Sequence, residues 1–248
     1  AELLERSSIV TSGTALLGLP KLRSRLSSDD SPLNWKKAVS DQGKKLSTQA
    51  RELDMNDLAV RLKLAANNIS EELPIGDFRF RRSSRLAAGE AVAGELGAWI
   101  SDPQLKVHLN HDARSHMASD LGRYLYAAAF AEVNGKSPKG HKDFALEGLA
   151  PDHKNWKSGK FVDRFRVQRA QEPSKTVTSH ISKDGHAFIH PDPEQARSLS
   201  VREAARLQTF PDNYFFTGGR TDQYHQVGNA VPPLLAAKIA GVVQHILK

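Results

Sequence analysis

The chain contains no cysteine, so the first candidates for side-chain chemistry are its clustered histidines and aspartates. That lack excludes disulfides, thiolate metal sites and a thiolate nucleophile from these 248 residues. His108, His111 and His116 cluster with Asp112 and Asp120, but no closed set of metal ligands can be named from them. The sequence has no Gly-rich phosphate loop, HExxH motif or GxSxG elbow. We therefore predict no metal and no catalytic residue.

Two segments near the carboxyl terminus carry a far more specific pattern. The first reads RSLSVREAARLQTFPD at residues 197–212, and the second reads YHQVGNAVPPLLA at residues 224–236. Together they closely resemble the ninth and tenth motifs of the DNA cytosine-5 methyltransferases. The segment PSKTVTSHI at residues 173–181 is similar to the end of that family's target-recognition region, and the similarity extends upstream through residues 163–168 and 110–117. The resemblance covers only the C-terminal half of such an enzyme.

The catalytic half of the family has no counterpart in these residues. That half carries a Gly-rich loop for S-adenosylmethionine, a Pro-Cys dipeptide whose thiolate attacks cytosine C6, a Glu-Asn-Val motif whose glutamate contacts N3, and a Gln-x-Arg-x-Arg motif. Cytosine C5 is a poor nucleophile until a thiolate adds at C6, so a chain without cysteine cannot perform the reaction alone. We expect residue 1 to follow directly after the catalytic motifs. The resemblance implies a DNA-recognition subunit of a split enzyme, inactive without a partner that carries those motifs.

The two matched motifs imply roles for individual residues. The residues implied to face S-adenosylmethionine, whose main pocket the partner would supply, are Asn229, Ala230 and Val231. A plain loop before a buried helix is the alternative for these three. The residues for which a structural role is favoured over DNA contact are Arg202, Glu203 and Arg206. In the family, such arginines tie loops together through charge-assisted hydrogen bonds.

Double-stranded DNA is expected to contact the segment that precedes the ninth motif. Arginine can read guanine through two hydrogen bonds, whereas lysine and serine more often contact phosphate. The candidates are Arg164, Arg166, Arg169, Thr176, Thr178, Ser179, His180 and Lys183. Each of them taken singly fits a solvated surface position equally well. A second basic cluster, Arg79 to Arg82 with Arg85, is better suited to neutralising phosphates than to reading bases.

Helices must position most of these residues. Apolar periodicity and capping signals predict helices at Ser12 to Leu19, Pro32 to Ile69 (one long or two shorter), Ser84 to Ile100 and Arg114 to Val133. The side chains expected to face a core from the last of these are Met117, Leu121, Tyr124, Leu125 and Ala128. Ser200 and Glu203 have the spacing of a capping box for a short helix that ends before Pro211.

A final helix is predicted from Pro232 and Pro233, which suit a first turn. Between Leu234 and Leu247 it is apolar around most of its circumference, which indicates burial on several sides. It could lie in the chain's own core. Alternatively, it could pack on a sheet from another polypeptide, because the preceding sequence has few strands and no βαβ alternation.

Short β-favouring runs follow Pro151, at Phe161 to Gln168, Lys175 to Ile181 and His186 to Ile189. The turn sequence Ser182 to Gly185 predicts a hairpin between the last two. The predicted fold is therefore α+β, with a helix-rich recognition region, a short β-rich part, and C-terminal helices that complete a partner's α/β catalytic domain. The predicted divisions are a connector at 1–30, a target-recognition domain at 31–195, and the ninth and tenth motifs at 196–248.

Charge and composition agree with this assignment. The chain has 35 Lys and Arg against 28 Asp and Glu, and the net charge of +7 favours an anionic partner such as nucleic acid. No stretch approaches the roughly 20 apolar residues that span a bilayer, and the first residues lack the apolar core of a secretion signal. We expect a protein of the bacterial cytoplasm with no membrane partner.

Three other interpretations stay open. The sequence could be a fragment of a single-chain methyltransferase. A non-catalytic DNA-binding regulator could derive from the same family, although it would have no need to keep the segment 228–231. A protein-interaction scaffold would be favoured by salt-insensitive DNA binding, or by no DNA binding within the assembled complex.

Overall fold

A computed structural model describes residues 9–82, 92–152, 156 and 164–247. It mixes helices with two small sheets, so the α+β prediction is confirmed. The α-helices are α1 (Ser12–Leu16), α2 (Pro32–Glu52), α3 (Asn56–Asn68), α4 (Gly94–Ile100), α5 (Ala118–Asn134), α6 (Gly140–Asp143), α7 (Val201–Leu207), α8 (Arg220–Asn229) and α9 (Pro233–Ile246). The strands are β1 (Arg25–Leu26), β2 (Gly76–Arg81), β3 (Val107–Asp112) and β4 (Ser115–His116).

The larger hydrophobic core lies between α2, α3 and α5. Ser31 caps α2 by accepting a hydrogen bond from the Asn34 amide, and Pro32 occupies the first turn, where its missing N–H costs nothing. Gly43 lets the helices approach closely, because a Cβ atom there would lie 2.8 Å from that of Ala66. The helix α5 is buried over most of its circumference and forms the centre of this core.

Most predicted helices are confirmed, with shifted ends. Pro32 to Ile69 forms two helices, separated by a turn in which Asp54 has a positive φ of 57°. The helix predicted from Arg114 begins only at Ala118, because residues 115–116 pair in parallel with β1. Met117 therefore precedes α5 and is 56% exposed, so its assignment to the core was wrong. Of the helix predicted at Ser84 to Ile100, only α4 lies within the described residues; the part through Ala91 lies outside them.

The predicted β-runs and hairpin beyond residue 163 are wrong. Ser179–Ser182 forms a 3-10 turn, and Val167 makes a parallel bridge to Ile189. A hairpin would need the two runs around Gly185 to fold back on each other. Instead, the backbone of Arg166 bonds His186 and Ile189 at 2.9 Å each, so it takes the place of the predicted partner strand. Residues 161–163 lie outside the described chain.

The antiparallel sheet pairs β2 with β3. A second core surrounds α7 and α8, and its buried members include Val177, Ile181, Leu199, Phe216 and Tyr224. This core draws residues from both sides of the division predicted at 195/196, and that division stays a prediction. No helix within the described ranges is long and apolar enough to cross a membrane.

Candidate functional site

The capping box predicted at the start of α7 is confirmed. The Ser200 hydroxyl accepts from the Glu203 amide at 3.2 Å, and the Glu203 carboxylate accepts from the Ser200 amide at 2.7 Å. The same carboxylate receives two hydrogen bonds from the Arg197 guanidinium, at 2.6 and 2.7 Å. Burial alone would raise the pKa of Glu203, but the charge and hydrogen bonds of Arg197 hold it well below its usual value. Arg197 and Glu203 thus form a buried ion pair at the start of α7.

The two other arginines in this region tie loops to α7. Arg202 donates to the carbonyl oxygens of Leu109 at 2.8 Å and Pro211 at 3.0 Å, and burial lowers its pKa to about 10. Arg206 makes two bonds to the Asp212 carboxylate, at 2.6 and 2.9 Å, and a third to the Leu17 carbonyl. Both side chains are almost fully buried and are used within the chain.

Two of the three clustered histidines make hydrogen bonds within the chain, whereas Nε2 of the third, His108, is buried without a partner among the described residues. His111 lies between the Ser200 hydroxyl at 3.0 Å and the Pro20 carbonyl at 2.9 Å, and burial lowers its pKa to about 4. His116 contacts the Ser198 hydroxyl at 3.1 Å, and burial holds its pKa well below the ordinary value. Within the part of the chain that the structure describes, no three His, Asp or Glu side chains are grouped as metal ligands.

The predicted DNA-contact residues occupy the segment that leads into and around the 3-10 turn. Four are exposed: Thr176, Thr178, His180 and Lys183. Four are half-buried: Arg164, Arg166, Arg169 and Ser179. Two of these arginines are engaged by carboxylates, Arg164 by Asp184 at 3.8 Å and Arg169 by Glu172. The segment thus presents an exposed polar turn beside a basic stretch.

Two buried residues that the sequence interpretation missed hold this segment from beneath. Arg114 donates to the Ile181 carbonyl at 2.8 Å and stacks over the Tyr224 ring at 4.1 Å. The Tyr124 hydroxyl lies 2.7 Å from Nδ1 of His186. Tyr124 was predicted only as a core residue, and nothing local in the sequence links positions so far apart.

The segment implied to face the cofactor begins inside a helix. Gly228 and Asn229 are the last two residues of α8, so the non-helical part of the segment 228–231 begins at Ala230. A Cβ atom on Gly228 would lie only 2.3 Å from the amide nitrogen of Ser179, which explains the glycine by a contact within the chain. Asn229 and Val231 are exposed, and Ala230 is half-buried.

Gln208 joins three segments of the site. Its side-chain nitrogen, which is buried, donates to the carbonyl oxygens of Val177 at 3.2 Å, Val227 at 3.3 Å and Ala230 at 3.4 Å. The DNA-contact candidates and the cofactor-facing candidates are therefore held against each other at the end of α7.

Within the described residues the final helix packs on the chain's own core through Leu234, which contacts the cluster around α4, but the helix is not buried in that core. None of the α9 residues is buried by the rest of the described chain. Its most exposed large side chains are Leu235 (45%), Ile239 (47%), Val243 (48%) and Ile246 (65%). Their spacing of three or four residues places them along one face of the helix.

The second basic cluster is divided by the fold. Arg79 is exposed and lies over the Phe215 ring at 5.8 Å. Arg82 turns inward and donates to the carbonyl oxygens of Asp102 and Leu105. Arg85 lies outside the described residues.

Comparison with known proteins finds one matching protein family and several related sequences. A family model for C-5 cytosine-specific DNA methylase matches residues 63–245. The Type II methyltransferase M.Bpa9945I of Bacillus paralicheniformis is 49% identical over 138 residues, which are 56% of this chain and 30% of that protein. The Type II methyltransferase M1.HphI of Haemophilus parahaemolyticus is 38% identical over 135 residues, 54% of this chain and 31% of that protein. The chain thus spans less than a third of each of these two relatives.

In a third relative the match covers a larger share of the relative's own length. The Type II methyltransferase M.AquIB of Picosynechococcus is 44% identical over 98 residues, which are 35% of this chain and 67% of that protein. Because 98 residues make up two thirds of it, that relative is itself shorter than this chain.

Proposed function

Since this chain belongs to the C-5 cytosine-specific DNA methylase family, we propose that it is the DNA-recognition and C-terminal subunit of a split DNA (cytosine-5) methyltransferase. The catalytic cysteine, the glutamate that contacts cytosine and most of the S-adenosylmethionine pocket belong to a partner polypeptide. The relatives named Type II methyltransferases support a place in restriction and modification.

The observation that carries the proposal is the uncovered apolar face of α9. Ile239 and Val243 are nearly half exposed, on a helix that follows directly after the cofactor-facing residues. Large contiguous apolar surfaces in water mark sites of protein interaction. A catalytic half that packs on this face would cover it and would bring its own cofactor site beside Asn229.

These 248 residues hold no cysteine for the attack on cytosine, so the catalytic half lies outside them. One further observation favours a separate polypeptide as its source. The relative from Picosynechococcus carries the name of a methyltransferase although it is shorter than this chain. A methyltransferase chain of that size supports division of the enzyme into two polypeptides.

S-adenosylmethionine is the methyl donor of the family, and the residues of this chain fit one wall of its pocket. Asn229 offers an exposed side-chain amide that can both donate and accept hydrogen bonds, and Val231 adds a 61% exposed apolar surface. In the proposal, these two residues with Ala230 contact the methionine end of the cofactor and exclude water from that side.

DNA is bound by the turn and the basic stretch around it. The exposed Thr176, Thr178, His180 and Lys183, with Ser179, contact the duplex, and Arg164, Arg166 and Arg169 contribute positive charge and base reading. Arg202, Glu203 and Arg206 hold α7 against its neighbouring strand and loops through their buried bonds. The partner takes the cytosine out of the stack and performs the covalent chemistry.

Transfer of labelled methyl groups from S-adenosylmethionine to DNA tests the proposal. The assay uses the chain alone and the complex that it retrieves from its native cells. The mass of the natural polypeptide that contains this sequence is measured alongside. Activity only in a complex with a cysteine-bearing partner supports the split enzyme. Activity from one long polypeptide that contains this sequence refutes the split. Salt-sensitive DNA binding without activity in either sample indicates a non-catalytic regulator instead.

A pair of variants of α9 tests its role in the same assay. Ile239→Glu places a charge on the apolar face and is expected to abolish retrieval of the partner and methyl transfer. Gln244→Glu adds the same charge to an exposed polar position of the same helix and should leave both unchanged. Equal loss in the two variants would contradict docking through the apolar face.

A further inference from the structure

A basic pocket lies where the end of α5 meets the segment that leads into the predicted DNA-contact turn. It is a cavity of about 370 Å³. The charged side chains that line it are Lys136, Lys139, Arg166, Arg169, Glu172 and Lys175. Five of these six are cationic. We refer to this cavity as the basic pocket.

Nearby carboxylates neutralise only part of this charge. Glu172 pairs with Arg169, and Asp143 lies 4.0 Å from the Lys136 ammonium group. Among the described residues Lys139 and Lys175 have no carboxylate partner, so the charge of the pocket is not fully neutralised and a positive potential is concentrated in a concave surface. The Nε atom of Arg169 is also buried without a hydrogen-bond partner among the described residues. The basic pocket is therefore suited to an anionic ligand.

The size and position of the basic pocket indicate which anion it takes. Its volume exceeds that of a single phosphate ion and suits a stretch of sugar–phosphate backbone. Lys175 directly precedes Thr176, and the backbone of Arg166 bonds that of His186 beyond the turn. The basic pocket therefore adjoins the turn at Thr176 to Lys183, where the backbone of a bound duplex would lie near it.

We propose that the basic pocket binds backbone phosphates of the DNA duplex beside the base-reading turn, with Lys136 and Lys139 as contacts that hold the duplex without reading its sequence. The proposal rests on the DNA-binding role given above. It adds a site on the α5 end that neither motif contains. Phosphate contacts of this kind set affinity and register, whereas the turn sets the sequence that is read.

The salt dependence of DNA binding by the assembled complex gives a quantitative test. Each phosphate neutralised by a lysine contributes about 0.9 to the slope of log affinity against log salt concentration. The double variant Lys136→Gln with Lys139→Gln should therefore reduce the slope by about 1.8. At 0.1 M salt this corresponds to about 60-fold weaker binding, since each lost contact costs about 8-fold. The loss should be the same on target and unrelated duplexes.

The matched control is Lys37→Gln with Lys44→Gln, which removes the same charge from exposed positions on α2. Its effect should stay within about 2-fold, because neither lysine lines the basic pocket and more distant surface charges are screened by salt. In the methylation assay, the pocket variant should raise the KM for DNA and leave kcat unchanged.

Three outcomes decide the matter. A lower slope only in the pocket variant, on all duplexes, supports the proposal. Equal slopes in the two double variants, in a complex that still binds and methylates DNA, refute the pocket and leave the proposed function intact. Failure of the unaltered complex to bind any duplex would overturn the pocket and the DNA-binding role together.

Discussion

Gly228→Ala provides a sharp test of how the two halves of the site are packed. Gly228 lies in the last turn of α8, against the start of the 3-10 turn that carries the DNA-contact candidates. An added Cβ atom would lie 2.3 Å from the amide nitrogen of Ser179 and 2.4 Å from the carbonyl carbon of Thr178. Both are backbone atoms, so no rotamer change can relieve the overlap, and either the helix or the turn must move.

Gly241→Ala is the matched control, because it makes the same substitution inside another helix with nothing within 4 Å of the new atom. Replacing glycine by alanine in a helix stabilises it by up to about 1 kcal/mol, and this gain is shared by the two variants. Overpacking costs about 1–3 kcal/mol and applies only at residue 228. The two variants should therefore differ by about 1–3 kcal/mol in the free energy of unfolding.

Thermal and urea unfolding of the purified chain, followed by circular dichroism, measure this difference. For a chain of this size about 1 kcal/mol shifts Tm by about 2–4 °C, so Gly228→Ala should melt about 2–12 °C below Gly241→Ala. In the complex, displacement of the turn at Ser179 should also weaken DNA binding. Equal melting of the two variants would refute the close packing of α8 on the turn.

Three more results are expected. Glu203→Gln leaves the buried guanidinium of Arg197 without its carboxylate and should lower the free energy of unfolding by about 3–5 kcal/mol in urea titrations. The control Glu147→Gln removes a carboxylate from a surface ion pair and should lower it by under about 1 kcal/mol. Similar losses in the two variants would contradict the buried ion pair. Burial lowers the pKa of His111 and His190 to about 4, against 6.5 in the unfolded chain. Below pH 6.5 the unfolded state then binds more protons than the folded state, so the free energy of unfolding should fall by on the order of 2 kcal/mol per histidine between pH 7 and 5. Urea unfolding midpoints that do not change over that pH range would disprove the lowered pKa values. Asn229→Ala, at an exposed position, should weaken S-adenosylmethionine binding to the complex more than DNA binding in calorimetry; equal losses would indicate general unfolding.

The helices were predictable because their signals are local. The cap at Ser200 and the proline at residue 32 each act within one turn of chain, and both mark true helix starts. The shift of α5 to Ala118 has a distant cause, since residues 115–116 pair with β1 some 90 positions earlier in the sequence. Helix ends are therefore less predictable from sequence than helix existence.

The sheet was not predictable for the same reason. The strands β2 and β3 pair across α4, so no short turn signals their partnership. The runs around Gly185 looked like a hairpin because they have the right composition and an Asp-Gly turn. Tertiary contacts prevent the hairpin. Arg114 donates to the Ile181 carbonyl, and the backbone of Arg166 makes the hydrogen bonds to residues 186 and 189 that the partner strand would have made.

Neighbouring residues at the end of α8 face in opposite directions, and this governs how variants there should be interpreted. Gly228 contacts the backbone of the turn that carries the DNA-contact candidates, whereas Asn229 is exposed to solvent. Gln208 donates to the carbonyl oxygens of Val177 and Ala230, so a displacement of either segment should shift the other as well. A change at residue 228 or 208 should therefore impair DNA binding and cofactor binding together. Only a side chain that points away from this junction, such as Asn229, can separate the two.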